Sequence, residues 1–178
     1  MTADTLMREP VLVVTQRGWL TTDYGIFDEH GHQLAGVRHG KQGMIGRQLE
    51  IIDQQGATLL RLVRPVQVFG WHLAVTRPDG AVVGRFIARP ALGGLRLVIQ
   101  SRGETLGELR PDSRTRFAIT DPTHQVVARI ERQRDGQASC RYILRIHGPV
   151  PDPLRSLLIA APLAVEIRRK ELGAPVTG

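Results

Sequence analysis

The chain has 178 residues, 42% hydrophobic and 23% charged, which is the balance of an ordinary globular domain with one sizeable core. Its formal net charge of +7 favours an anionic partner, and five of those net charges fall in residues 91–178. Two classes are excluded at once: the longest apolar stretch, Leu157–Val165, is far short of the roughly 20 residues a spanning helix needs, and a single cysteine, Cys140, supports no disulfide framework.

The opening residues, MTADTLMREP, carry acids and no apolar run, so residues 1–9 read as a flexible lead-in and not as a secretory signal. Val11–Val14 with Thr15 and Gln16 then form a β-branched run that reads as a first strand. From there one pattern recurs five times. Its anchors are Gly31, Gly56, Gly80, Gly103 and His124, spaced by 25, 24, 23 and 21 residues. Five residues before each anchor stands a β-branched residue: Ile26, Ile51, Val75, Val98 and Ile119. Apolar residues stand three after it (Leu34, Leu59, Val83, Leu106, Val127) and six after it (Val37, Leu62, Phe86, Leu109, Ile130). The residue four after it is small except at Leu60: Ala35, Gly84, Gly107 and Ala128. Each unit is thus a strand, a tight turn and a strand, and self-similarity at this period decides architecture before any single motif. Asp28, Asp53 and Asp121, three residues before their anchors, are placed to accept hydrogen bonds from the turning backbone. PDG at 78–80 and RGE at 102–104 do the same work with Pro and Gly. Cys140–Ile146 alternates and reads as the closing strand, which brings the count to twelve.

Past Asp152 the pattern changes to PLRSLLIAAPLAVEIRRKE, with Asp152 at an N-cap, Pro153 in the first helical position and Arg168, Arg169 and Lys170 in the last turn. This predicts a helix at about 153–169 that is apolar on every face from Leu157 to Val165 and hence buried all round, with Pro162 as its awkward residue. Eight strands make a barrel that side chains just fill, whereas a larger one encloses a helix. The expected fold is therefore mainly β: one closed antiparallel twelve-stranded barrel over residues 10–171 enclosing its own hydrophobic C-terminal helix, with a tail at 172–178. The small residue after each anchor is expected to face inward and let the sheet approach that helix.

The segments VLVVTQR (11–17), YGIFDEHGHQLAGV (24–37), LEIIDQQGATLLRLVRP (49–65), LAVTRPDGAVVGRF (73–86), FAITDPTHQVVARI (117–130) and the terminal LRSLLIAAPLAVEI together resemble the family that joins phospholipid scramblases, LURP-one-related proteins and the Tubby C-terminal domain. The likeness spans residues 10–170 and implies the same barrel around a hydrophobic helix. It also implies a lipid-linked role, since Tubby binds phosphoinositides and lipid-associated roles are proposed for scramblases. The Pro-rich arm and the cysteine cluster of the animal scramblases are absent, and the stretch before the helix, HGPVPDPLRS, offers Asp152 as its one acid where theirs is acid-rich. Calcium-triggered scrambling is accordingly not expected, and no Tubby binding residue carries over by alignment.

Other constellations are weaker. His30, His32 and His39 with Asp28 and Glu29 have metal-ligand chemistry but sit where a polar hairpin tip is expected. Ser101, Ser113, Ser139 and Ser156 lie in no G-x-S-x-G elbow, and Cys140 within a strand reads as a small hydrophobe. The glycine-rich loop HGKQGMIGRQ (39–48) lacks the order and context of a phosphate loop. No catalytic residue, metal or cofactor is assigned. What stands out is arginine: only Lys41 and Lys170 among the 24 basic residues are lysines, a bias that genome composition alone can also produce. Arg110, Arg114, Arg116, Arg132 and Arg134 populate neighbouring hairpins together with Arg129, Arg141 and Arg145, and the first five are the candidate ligand-binding set. The expected function is a non-catalytic module that associates peripherally with anionic phospholipid head groups at the cytoplasmic face of a membrane. A scaffold barrel that binds a protein partner is the alternative, and an aromatic content of 4% argues against nucleic acid.

Overall fold

The computed structural model describes residues 3–16, 24–40, 47–65, 70–90, 95–135 and 139–173. Twelve strands run in chain order: β1 (Val11–Gln16), β2 (Tyr24–Phe27), β3 (Gln33–His39), β4 (Arg47–Ile52), β5 (Thr58–Arg64), β6 (His72–Thr76), β7 (Val82–Ala88), β8 (Leu97–Ser101), β9 (Glu104–Pro111), β10 (Arg116–Thr120), β11 (Val126–Asp135) and β12 (Ser139–Ile146). Each pairs antiparallel with its sequence neighbours, and β1 pairs with β12 from Val11 opposite Arg145 to Thr15 opposite Arg141, which closes the barrel. Closure leaves no open edge for another chain to pair with.

The repeat has a backbone cause. Gly31, Gly56 and Gly80 hold φ of 86°, Gly103 84° and His124 65°, so every anchor occupies the left-handed region. In three units a single Asp oxygen organises the turn, as at Asp53, whose Oδ1 accepts the backbone N–H of Gln55 at 2.9 Å and of Ala57 at 2.8 Å. Asp28 and Asp121 make the equivalent pairs of bonds. A register shift accompanies every turn, beginning five residues before the anchor at Ile26/Phe27, Ile51/Ile52, Val75/Thr76 and Ile119/Thr120 and four before it at Ile99/Gln100. The fourth unit corrects the sequence reading. Its turn has only two central residues, Arg102 at φ 49° and Gly103, the left-handed pair of a tight hairpin, so the phase slips by one. Ile99, fully buried, belongs to the core cluster there, whereas Val98, its neighbour on the other side of the strand, does not.

Ala35 and Ala128 are fully buried, as the inward placement requires. The reason for small residues is only partly the helix. A Cβ on Gly84 would lie 2.7 Å from Leu157 Cδ1, but it would lie 2.4 Å from the carbonyl oxygen of Gln100. On Gly107 it would meet the Thr120 carbonyl oxygen at 2.5 Å. The adjoining strand at each bulge, more than the helix, forbids a side chain.

The C-terminal helix α2 (Leu154–Gly173) runs through the barrel, and every residue from Arg155 to Glu166 is buried, Pro162 included. The helix continues through Pro162, where Pro removes one backbone donor. Asp152 accepts from the backbone N–H of Ser156 at 3.1 Å and from its hydroxyl at 2.7 Å, so it caps the first turn as expected, while Pro153 precedes the helix. Residues 1–9, expected as a flexible lead-in, contain a helix instead, α1 (Ala3–Arg8). Leu6, 2% exposed, belongs to the core, and the Arg155 guanidinium donates to the Glu9 carbonyl, so α1 packs where α2 enters the barrel. Leu172 and Gly173, assigned to the tail, are the last residues of α2.

Candidate functional site

The last residues of the odd strands and the first residues of the following even ones lie at the barrel end where α2 leaves, and the five tight turns lie at the other. At the leaving end, β9, β10, β11 and β12 bring the sequence-predicted arginines into one sector of the rim. Arg110 is the next-to-last residue of β9, Arg114 lies in the 112–115 connection, Arg116 opens β10, and Arg132 and Arg134 stand near the end of β11.

Their side chains do not share one face. Arg110 points outward from Leu109 and is paired with Glu108 at 2.7 Å. Arg114, Arg116 and Arg134 are exposed, and no carboxylate pairs with them among the described residues. Arg132 shares the inward side of its strand with the buried Ile130 and Ala128, and its Nη2 lies 2.9 Å from Cys140 Sγ. The five candidate arginines thus divide into exposed Arg114, Arg116 and Arg134, an Arg110 held by Glu108, and an inward-turned Arg132. On the barrel wall below the rim, Arg129 and Arg145 stand directly opposite each other in the β11–β12 register. With Arg116 they line a groove of about 300 Å³, where Asp112 pairs with Arg129 at 2.9 Å.

Inside the rim lies a polar ring that sequence reasoning missed. Tyr142, 1% exposed, donates its hydroxyl to Glu166, which Lys170 Nζ approaches at 3.1 Å. Lys170 also donates to the Tyr24 hydroxyl at 3.0 Å. Burial, then the Glu166 carboxylate, pushes the Tyr142 phenol far above its ordinary value. Burial likewise raises Tyr24, outweighing the bond from Lys170 that would lower it. Burial alone would lower the Lys170 ammonium, but the Tyr24 bond and the Glu166 charge reverse that, and it stays protonated. Further along α2, Trp71 donates its indole N–H to Glu171, and the guanidinium groups of Arg64 and Arg168 each lie 5.5 Å from its ring centroid. Only the cations of the last helical turn were legible in sequence. Their partners are up to 146 residues away, and no local spacing announces them.

Acids at this end are commonly shared between two bases. Glu50 lies between Arg38 and Arg61, Glu108 between Arg96 and Arg110, and Glu171 between Arg64 and Arg168. The result is a cationic rim, suited to holding an anion.

The other candidates are accounted for by structure. Asp28 binds the ring and backbone of His32, and among the described residues no three His, Cys, Asp or Glu side chains gather for a metal. Ser101 donates to the Val83 carbonyl, Ser113 accepts backbone N–H groups and Ser156 is part of the helix cap. Residues 41–46 of the glycine-rich loop lie outside the described residues. No helix among the described residues is long and apolar enough to cross a membrane.

No protein-family model matches the chain, and no curated protein matches it. An X-ray structure of a protein from Arabidopsis thaliana is similar in fold, with a TM-score of 0.60 at 11% identity over 90% of this chain and 93% of that one. The likeness supports the barrel with its helix and, at that identity, the fold alone.

Proposed function

We propose that this chain is a non-catalytic barrel that associates peripherally with anionic lipid head groups, the role implied by its resemblance to the scramblase, LURP-one-related and Tubby-like barrels. One observation carries the reading: Arg114, Arg116 and Arg134 stand exposed on one sector of the rim with no acid to neutralise them among the described residues. Each such base contributes about 1 kcal/mol of attraction near an anionic membrane, and the attraction fades within a Debye length. Several together give weak, reversible and salt-sensitive binding, without an acyl anchor. Arg110 adds less because Glu108 already holds it, and Arg132, turned inward against Cys140, makes no direct contact with the lipid.

Sedimentation with phosphatidylcholine vesicles, with and without phosphatidylserine, tests this. Binding is expected only with the anionic lipid, reduced several-fold by replacing Arg114 and Arg116 together by Gln, with an unchanged melting temperature because exposed arginines add little to folding. Absence of sedimentation, or stronger retention of DNA or RNA in a mobility-shift assay, would refute it and leave the scaffold or nucleic-acid reading.

A further inference from the structure

Charge in this barrel is sorted along its axis. The end where α2 enters carries the tight turns and with them Asp28, Glu29, Asp53, Asp79, Asp121 and Asp152. Of the few bases there, Arg77 is paired with Asp152 and Arg8 with Asp4. At the end where α2 leaves, bases come from strands all round the ring: Arg38 at the end of β3, Arg89 just past β7, Arg96 just before β8, and Arg168, Arg169 and Lys170 on the helix itself. The five predicted arginines are one sector of this larger rim.

We infer that the described strand ends of this rim, with the last turn of α2, are the docking surface and that the barrel meets an anionic bilayer end-on, its axis along the membrane normal and its acidic turns directed away. This rests on the lipid reading above and adds the geometry of contact. The screening length decides between the two poses. Strands of 5–8 residues span about 15–25 Å, whereas the field of an anionic surface decays over about 8 Å at physiological salt. End-on docking therefore places the rim within the field and the acidic turns beyond it. Lying on the β9–β12 wall instead would bring Glu131 and Asp121 against the lipid and hold Arg38 and Arg89 out of reach.

The experiment is the same sedimentation assay with two further double variants, each confirmed folded by its melting curve. Arg38→Gln with Arg89→Gln removes two rim charges on strands far from the β9–β12 sector. Arg8→Gln with Arg102→Gln removes two at the turn end. End-on docking predicts that the first pair weakens binding to phosphatidylserine vesicles about five-fold, mostly through Arg89 because Glu50 already holds Arg38, while the second leaves it within two-fold. If wild type binds and Arg114→Gln with Arg116→Gln weakens it, but Arg38→Gln with Arg89→Gln does not, end-on docking is overturned and the lipid reading survives as sideways contact. Equal losses from both new pairs would also overturn it, since the contact would then be sensitive only to net charge. If wild type does not sediment at all, the lipid reading itself fails.

Discussion

His124 holds φ at 65° in the position where the other four units have glycine. A left-handed conformation costs an L-residue about 1–2 kcal/mol, and glycine would give back part of that gain, about 0.5–1 kcal/mol, through its freer unfolded chain. His124→Gly should therefore stabilise the protein by about 0.5–1 kcal/mol, read as a higher urea midpoint at unchanged slope. Gly84 is the opposite case. Its backbone φ is ordinary, but the added methyl would press on a backbone oxygen that cannot rotate away. Gly84→Ala should cost about 1–3 kcal/mol, and a melting temperature equal to wild type would show that the bulge can open to admit it. Both residues were legible as members of the repeat. Which physical demand each one met was not, because a positive φ and a close approach both select small residues and only coordinates separate them.

Among the elements, α2 was the most legible, because a run that is apolar on every face can be stable only where no face meets water. Leu158 is fully buried within it, and Leu158→Ala should cost about 2–5 kcal/mol of a total of about 5–15. The β3–β4–β5 strip was not legible. Arg38, Glu50 and Arg61 fall opposite one another in register, a coincidence that needs strand pairing and bulge positions to foresee. Burial would raise the Glu50 carboxyl, but the hydrogen bonds from Arg38 and Arg61 outweigh it and hold it below the ordinary range. A carboxyl depressed on folding contributes stability above its unfolded pKa of about 4.3 and loses it as the pH falls through the lower folded value. Glu50→Gln should thus be less stable than wild type at neutral pH, and the gap should shrink in acid as Glu50 itself becomes protonated. A gap of constant size in urea titrations across that range would mean that the loss is one of packing and not of charge.

At the scale of the whole molecule, the net charge of +7 was plain in the sequence and its arrangement was not. Dividing the chain into halves hid the pattern, because the axial position of a residue depends on its distance from the repeat anchor and not from the N-terminus. Counted from the anchors, Asp residues precede the turn and Arg residues follow about seven positions later, as at Arg38, and the sorting becomes visible. The same topology gives the molecule one core, shared between sheet and helix, so neither should persist without the other. Trp71 reports on their junction, since its indole bonds Glu171 of α2 while its backbone carbonyl accepts from Ala88 of the wall. In a Trp19→Phe background, which leaves Trp71 as the only tryptophan, its fluorescence and the far-UV circular dichroism should follow one urea transition with a common midpoint. Burial of α2 from Arg155 to Glu166 leaves no water-exposed face along which it could leave before the strands separate. A fluorescence change completed at lower urea than the loss of β signal would show the end of the helix detaching from a standing barrel, and the shared core would then stop short of the rim.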